Sequence, residues 1–319
     1  MAAVTRRVSF SKVDLGLGVT IVIWGVNYAA IKAALSEIEP LAFNALRFVL
    51  ATLTLLVLVR LHGAAPHISR KDLVKLVLLG ILGNTIYQII FIQGIAQTTA
   101  ANASLIMSSC PMLVALLGAA LGRDRLASSA WIGVTLAVGG LVLLLSSGSR
   151  HRLETGNLTG DLLIVAAAAT WAAYSVLAAG VMARTAPVPA TLVTFLAGTP
   201  PLVAIAVPSL RSQNWAAVGM RGWFGVGFSG ILAIGIAYML WNVGLAALGG
   251  ARTAVYQNFT PVVAAAFAWL TLGERWTVLQ FAGAAAVVAG IALTRRGPAS
   301  PDSPDKSGAE AAQPPPVVS

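Results

Sequence analysis

The sequence predicts an all-α integral membrane protein, with about ten transmembrane helices arranged as two five-helix repeats of opposite orientation. Three observations predict it. Of 319 residues, 57% are hydrophobic and only 10% charged, with a mean hydropathy of +0.83, which leaves too little polar surface for a water-soluble domain of this length. Apolar runs of about 20 residues recur along the chain, each long enough at ~1.5 Å per residue to cross a hydrocarbon core of ~30 Å. Finally, the second half of the chain repeats the first.

Helices are expected over 13–35, 40–60, 73–96, 100–121, 128–146, 159–183, 189–208, 222–247, 250–271 and 276–294. The first follows Arg6 and Arg7 like a signal peptide, but its apolar run is too long and more spans follow, so it reads as an uncleaved helix. The seventh contains Pro200, Pro201 and Pro208, expected to interrupt or end it. The chain then divides into a cytoplasmic N-terminal segment (1–12), a first repeat (13–146), an external linker (147–158), a second repeat (159–294) and a Pro-, Ala- and Ser-rich tail (295–319) expected to be disordered.

The net charge of +10 sits in short loops, so it reports membrane orientation and not nucleic-acid binding. The side holding the N-terminus carries Arg6, Arg7, Lys12, Arg60, Arg70, Lys71, Lys75, Arg123 and Arg125 among others. The opposite side carries only Lys32, Arg150, Arg152, Arg211, Arg221 and Arg275. Both termini are therefore expected in the cytoplasm. An Ala- and Leu-rich composition suggests a bacterial inner membrane. The single cysteine, Cys110, allows no internal disulfide, and His62, His67 and His151 fall in connecting segments without metal-site spacing. No catalytic residue, metal or cofactor is expected; the expected partners are a small-molecule substrate and the bilayer, and the oligomeric state is left open.

At an offset of 150 residues, Pro111 meets Pro261, Asp124 meets Glu274, Arg125 meets Arg275, Gly80 meets Gly230, Phe91 meets Trp241 and Gly94 meets Gly244. At 147, Asp14 meets Asp161, Trp24 meets Trp171, Pro40 meets Pro187 and Phe48 meets Phe195. Five helices per half is an odd number, so the second half is inverted. Inverted halves give two related conformations, one open to each side, around a site near the midplane; an old duplication kept for stability is the alternative.

The run TPVVAAAFAWLTLGERWTVLQFAGAAAVVAGIAL resembles the end of an EamA-type repeat of the drug/metabolite transporter superfamily, and PMLVALLGAALGRDRLASSAWIGVTLAVGGLVLLL resembles a second copy. IVIWGVNYAAIKAAL and PLAFNALRFVLA resemble the first two helices of such a repeat. The likeness spans roughly 13–294; Gly122-Arg123-Asp124-Arg125 departs from the family's Leu-Gly-Glu-Arg. The resemblance implies two five-helix repeats around a central cavity. Family members mostly export amino acids, related metabolites or drugs, and others import metabolites. The expected function is alternating-access transport, as an exporter, of amino acids or related zwitterionic or amphipathic compounds. A drug or other metabolite transporter, a non-transporting sensor or assembly protein, and a membrane-embedded enzyme are the alternatives.

Polar side chains in lipid are costly unless they face a cavity or one another. Helical spacing groups Trp24, Asn27, Tyr28 and Lys32; Asn84, Tyr87, Gln88 and Phe91; Trp171, Tyr174 and Ser175; Tyr238, Trp241 and Asn242; and Thr253, Tyr256, Gln257 and Thr260. These five faces are candidate cavity linings; contacts that only hold the bundle together are the alternative. Arg47, inside the second helix, either binds a substrate carboxylate or caps carbonyls or snorkels. Lys32 is expected to snorkel. Asp14 and Asp161 offset helix dipoles, and Asp124 and Glu274 pair locally with Arg125 and Arg275. No carboxylate lies mid-span, which favours facilitated diffusion or exchange over proton coupling. Pro111 and Pro261 are expected to kink their helices at matching places, and Gly118 and Gly122 to allow close packing.

Overall fold

Ser11 opens the first helix: its hydroxyl accepts from the Asp14 amide, and Asp14 reaches back to the Ser11 amide, so two otherwise orphaned donors are satisfied. The structure, a computed structural model, describes residues 11–62, 68–122, scattered positions between 132 and 143, 158–273 and 277–294. The first repeat contains α1 (Lys12–Ala34), α2 (Pro40–His62), α3 (Arg70–Gly80), a π-helical segment Ile81–Ile86, α4 (Tyr87–Gln97), α5 (Ala100–Met107) and α6 (Cys110–Ala120). The second contains α7 (Leu158–Met182), α8 (Pro187–Ser212), α9 (Met220–Gly227), a π-helical segment Phe228–Ile236, α10 (Ala237–Leu248), α11 (Gly250–Tyr256), a 3-10 turn Gln257–Phe259, α12 (Thr260–Leu272) and α13 (Val278–Thr294). No strand occurs among the described residues.

Seven spans among the described residues are long and apolar enough to cross a bilayer: Lys12–Ala34, Pro40–Leu61, Arg70–Gln97, Ala100–Ala120, Leu158–Met182, Pro187–Ser212 and Met220–Leu248. Thr260–Leu272 and Phe281–Gly290 are shorter apolar helices. Leu53, Leu78, Leu196, Phe224, Trp269 and Leu270 point outward and exposed, as a surface solvated by lipid requires. Of the expected fifth helix, only scattered helical positions are described. Residues 1–10, the linker 147–157, the tail from 295, the loop residues Arg123, Asp124, Arg125, Glu274 and Arg275, and His67 and His151 lie outside the described residues.

Hydrogen bonds fix the directions of the helices. The carboxylate of Glu37, past the end of α1, accepts from the amides of Gly219 (2.8 Å) and Gly222 (3.0 Å) at the start of α9, while Leu17 near the start of α1 packs at Gly244 in α10. So α1 runs antiparallel to the α9–α10 span. Arg184, past the end of α7, bonds Asp72 at the start of α3 at 3.0 Å, and Ile164 near the start of α7 packs at Gly94 in α4. So α7 runs antiparallel to the α3–α4 span. Lys32 Nζ donates to the Ile95 carbonyl at 3.2 Å, which makes α1 parallel to α3–α4. Hence α1 and α7, the first helices of the two repeats, are antiparallel. The two ends of the bundle are here called the Lys12 end and the Pro40 end.

The register of the inversion is visible residue by residue. Phe48 and its counterpart Phe195 stack at 5.5 Å. Thr52 and its counterpart Thr199 share a 2.9 Å hydrogen bond between hydroxyls, 147 residues apart. A Cβ at Gly80 would strike the Thr194 carbonyl and the Ala197 Cβ; a Cβ at Gly230 would strike the Arg47 carbonyl and the Leu50 Cβ. Thr194 and Ala197 are the equivalents of Arg47 and Leu50, so one close approach is made twice. Only glycine permits it, because the neighbour is backbone and cannot rotate away. The pairing of α2 with α8 runs along this pseudo-twofold axis, and each repeat's first helix packs into the other repeat: α1 against α10 and α12, α7 against α4, α5 and α6.

Four sequence expectations are corrected. The α8 helix continues through Pro200, Pro201 and Pro208 to Ser212; in a bundle, neighbouring helices accommodate the freed backbone groups, and Thr85 Oγ1 donates to the Gly198 carbonyl beside the first two prolines at 2.7 Å. Pro111 and Pro261 do not kink continuous helices: each stands in the first turn of a new segment, α6 or α12, after a break, where a missing N–H costs nothing. Lys32 folds onto the carbonyls of Ile95 and Ala96 near the end of α4, where cations are favoured, and does not snorkel. Gly122 is not a packing glycine: its φ of +68° ends α6, and no atom of the described residues lies within 4 Å of a Cβ placed there.

Candidate functional site

The π-helical segments Ile81–Ile86 and Phe228–Ile236 fall at equivalent places in the two repeats. Each widens one turn midway along its span, and such turns recur at functional sites. Between them lies a cavity of about 50 Å³ lined by Trp24, Asn27, Tyr28, Arg47, Tyr87, Gln88, Phe91, Ser104, Met107, Ser108, Trp171, Ala233, Ile234, Tyr238, Gln257 and Thr260. That is room for a few waters, well short of the space a metabolite needs.

Arg47 is buried, with 1% of its surface exposed. Its Nε donates to Asn44 Oδ1 and its Nη2 to Gln88 Oε1, both at 2.8 Å. The guanidinium also lies 5.3 Å from the Phe43 ring centre and 5.9 Å from that of Phe48, a cation–π distance. Among the described residues no carboxylate pairs with it: both of its hydrogen-bond partners are neutral amides. Two amide oxygens orient the fork without neutralising it, and donors remain for an anion in the cavity. The cavity lining contains no Asp, Glu or His, so the net charge of the lining is positive.

A cluster of rings centred on Trp171 contributes to the same cavity wall. Trp171 contacts Trp24 (5.7 Å), Tyr87 (5.1 Å), Tyr174 (5.1 Å), Tyr238 (5.0 Å) and Trp241 (5.8 Å). Trp24 Nε1 donates to the Ala233 carbonyl at 2.8 Å, a carbonyl of the second π segment. Gln88 Nε2 donates to Tyr238 Oη at 3.4 Å, and Tyr238 Oη donates to the Gly83 carbonyl at 3.3 Å in the first π segment. Ser229 donates to Asn27 Oδ1. Three pairs of lining residues are repeat equivalents: Trp24 with Trp171, Gln88 with Tyr238, and Met107 with Gln257.

The structure brings eleven of the sequence-predicted residues into this lining: Trp24, Asn27, Tyr28, Arg47, Tyr87, Gln88, Phe91, Trp171, Tyr238, Gln257 and Thr260. Lys32, Asn84, Tyr174, Ser175, Trp241, Asn242, Thr253 and Tyr256 are not in it. Tyr174 donates to Asn242 Oδ1 (3.0 Å) and Asn242 Nδ2 to Thr191 Oγ1 (2.9 Å). Tyr256 donates to Asp14 at 2.5 Å. Tyr174, Ser175, Trp241 and Asn242, all buried, and Tyr256, half-buried, lie toward the Lys12 end. Several buried polar atoms have no partner among the described residues: Asn84 Nδ2 and Oδ1, Ser175 Oγ, Trp241 Nε1, Trp171 Nε1, Gln257 Oε1 and Thr260 Oγ1. A buried donor or acceptor left without any partner costs about 1–3 kcal/mol; Trp171, Gln257 and Thr260 line the cavity, whose volume admits water.

Ser104, Met107, Ser108, Ala233 and Ile234 line the cavity without belonging to any of the five expected faces. The serine hydroxyls donate to carbonyls one turn back, Ala101 and Leu105, so they look like helix-internal bonds. The signal available in the sequence was the match of Met107 to Gln257 across the repeat.

The sequence matches the model of the EamA-like transporter family over residues 12–146 and 158–296, one match per repeat. It is 26% identical over 275 residues to the uncharacterized transporter YyaM of Bacillus subtilis, covering 86% of this chain and 90% of that protein. It is 28% identical over 284 residues to an uncharacterized transporter of Archaeoglobus fulgidus, covering 89% and 97%. A solved crystal structure matches with a TM-score of 0.66 at 21% identity, covering 90% of this chain and 97% of that one, a likeness of fold alone.

Proposed function

We propose that the chain, which belongs to the EamA-like transporter family, moves a small carboxylate-bearing metabolite across the membrane by alternating access, amino acids and related amphipathic compounds being the class expected. The observation that carries this reading is Arg47: a buried guanidinium, oriented by Asn44 and Gln88, without a carboxylate partner among the described residues, on the wall of an aromatic cavity at the interface of two inverted repeats. An uncompensated charge in a membrane interior is expensive, and a substrate carboxylate compensates it. The rings of Trp24, Tyr87, Trp171 and Tyr238 supply an apolar wall for the rest of the molecule.

The lining offers no titratable acid or histidine, which supports uniport or exchange over proton coupling. Export is the direction the family resemblance implies, and the basic residues near the Lys12 end support a cytoplasmic N-terminus. The test is counterflow: purified protein in liposomes preloaded with unlabelled amino acids, each labelled amino acid added outside. Transient accumulation of one or more supports the reading. Folded protein without counterflow excludes amino acids and turns the search to drugs and other metabolites.

A further inference from the structure

On the outside of the bundle a groove of about 320 Å³ runs between α3, with the π segment that continues it, and α7, one helix from each repeat. The first helix contributes Lys75, Leu78 and Leu82, the second Leu177, Gly180 and Arg184. Each triplet covers two turns of one helical face, and the helices are antiparallel. Both therefore place a cation at the Lys12 end and a leucine about 10 Å deeper, at ~1.5 Å per residue. Leu78 and Leu177 are exposed, so the groove opens on the surface that lipid solvates. Gly180 keeps it hollow: an added Cβ would meet only Arg184 Nη1, at 3.7 Å.

The mouth of the groove is positive. Arg184 is anchored there by its ion pair with Asp72 at 3.0 Å and by donation to the Gly180 carbonyl at 2.5 Å, with 53% of its side chain still exposed. Lys75 is exposed as well. Along these two helix ends Arg70, Lys71, Lys75 and Arg184 outnumber Asp72. The pseudo-twofold image of the groove, between α9 and α1 at the Pro40 end, has neither the charge nor the space. The equivalent of Lys75 is Gly225 and that of Arg184 is Glu37. A Cβ at Gly225 would strike the Ala34 Cβ at 2.6 Å, and Glu37 is occupied by the Gly219 and Gly222 amides. The fold makes this pairing of helices twice and opens a cationic groove at one end.

We propose that the groove binds an anionic phospholipid of the leaflet at the Lys12 end, its phosphate held by Lys75 and Arg184 and an acyl chain laid along Leu78, Leu82 and Leu177. Lysine and arginine at a membrane surface attract acidic headgroups, and basic pockets between helices lodge them. A soluble anion would use the cations alone, and a neutral lipid the leucines alone; a phospholipid with a net negative headgroup uses both. The bound lipid touches both repeats and braces their contact at this end.

The test is native mass spectrometry of the full chain in a neutral detergent, titrated with dioleoyl phosphatidylglycerol, dioleoyl phosphatidylcholine or glycerol phosphate. Phosphatidylglycerol is expected to bind more tightly than phosphatidylcholine. Lys75→Gln, a change at one exposed side chain, should weaken it about fivefold, and Lys75→Gln with Arg184→Gln about thirtyfold. Gly180→Leu, which fills the groove without altering charge, should weaken it too. Arg211→Gln with Arg221→Gln, the same loss of charge at exposed positions of the Pro40 end, should leave it unchanged. Equal binding of the two lipids, full affinity in Lys75→Gln, or an equal loss in the Arg211 and Arg221 variant overturns the proposal. So does phosphatidylglycerol binding that glycerol phosphate displaces and Gly180→Leu leaves intact, which would make the mouth a site for soluble anions.

Discussion

Arg47 and Thr194 hold the same place in the two repeats, each with its carbonyl against a glycine of the partner repeat, Gly230 for Arg47 and Gly80 for Thr194. The backbone positions are equivalent and the side chains are not. The fold is therefore close to twofold symmetric while its buried charge is one-sided, and the predictions below separate these two properties.

The charge is tested first. Arg47→Ala removes the guanidinium and leaves Asn44 Oδ1 and Gln88 Oε1 without their donor. The unfolding midpoint in detergent should fall, by an amount corresponding to about 1–3 kcal/mol. Arg47→Gln, which can still donate one bond to an amide oxygen, should recover part of that stability while remaining unable to bind a carboxylate in a fork.

The symmetric close approach is tested by size. Gly80→Ala and Gly230→Ala each place a methyl against backbone of the facing helix, and each should destabilise by about 1–3 kcal/mol. Gly227→Ala, where nothing lies within 4 Å, should be neutral. Thermal denaturation of the three variants decides it; equal effects at all three positions would contradict the packing described.

The ring cluster predicts a further gradation. Tyr174→Phe loses one buried bond to Asn242, about 1 kcal/mol, and keeps the stack on Trp171. Trp171→Ala removes a ring in contact with five others and should cost about 3–5 kcal/mol. Chemical denaturation of the pair, compared with wild type, checks the ratio.

Proton coupling is tested by gradient. With no acid or histidine in the cavity lining, an imposed pH difference across the liposome should leave counterflow amplitude unchanged. Accumulation driven by the pH gradient alone would place a titratable group in the pathway.

Much of this arrangement was legible in the sequence, for identifiable reasons. Trp24, Asn27 and Tyr28 fall on one helical face, and so do Tyr87, Gln88 and Phe91; in lipid such faces must find a cavity or a partner. The offsets of 147 and 150 residues located the axis on which Phe48 meets Phe195 and Gln88 meets Tyr238. What spacing could not supply was state and local geometry. Tyr174, Ser175 and Trp241 satisfy the same spacing rule as the lining residues, yet they are buried outside the cavity lining. The π-helical turns insert a register shift that has no residue signature, and Pro111 and Pro261 read as kinks because spacing does not reveal that the helix has already ended one turn earlier. Asp14 and Asp161, helix-start charges by position, also accept bonds across the repeat interface, from Tyr256 and from Thr98, each at 2.5 Å.

The most direct test of the central claim is competition in counterflow between matched pairs, a carboxylate solute and its primary amide, in wild-type and Arg47→Ala proteoliposomes. The account predicts that the carboxylate competes at least about tenfold better in wild type, the value of one charge-assisted contact of ~1.5–3 kcal/mol, and that the preference disappears in the variant. Equal competition by acid and amide in wild type, or a preference that survives the loss of Arg47, would contradict it.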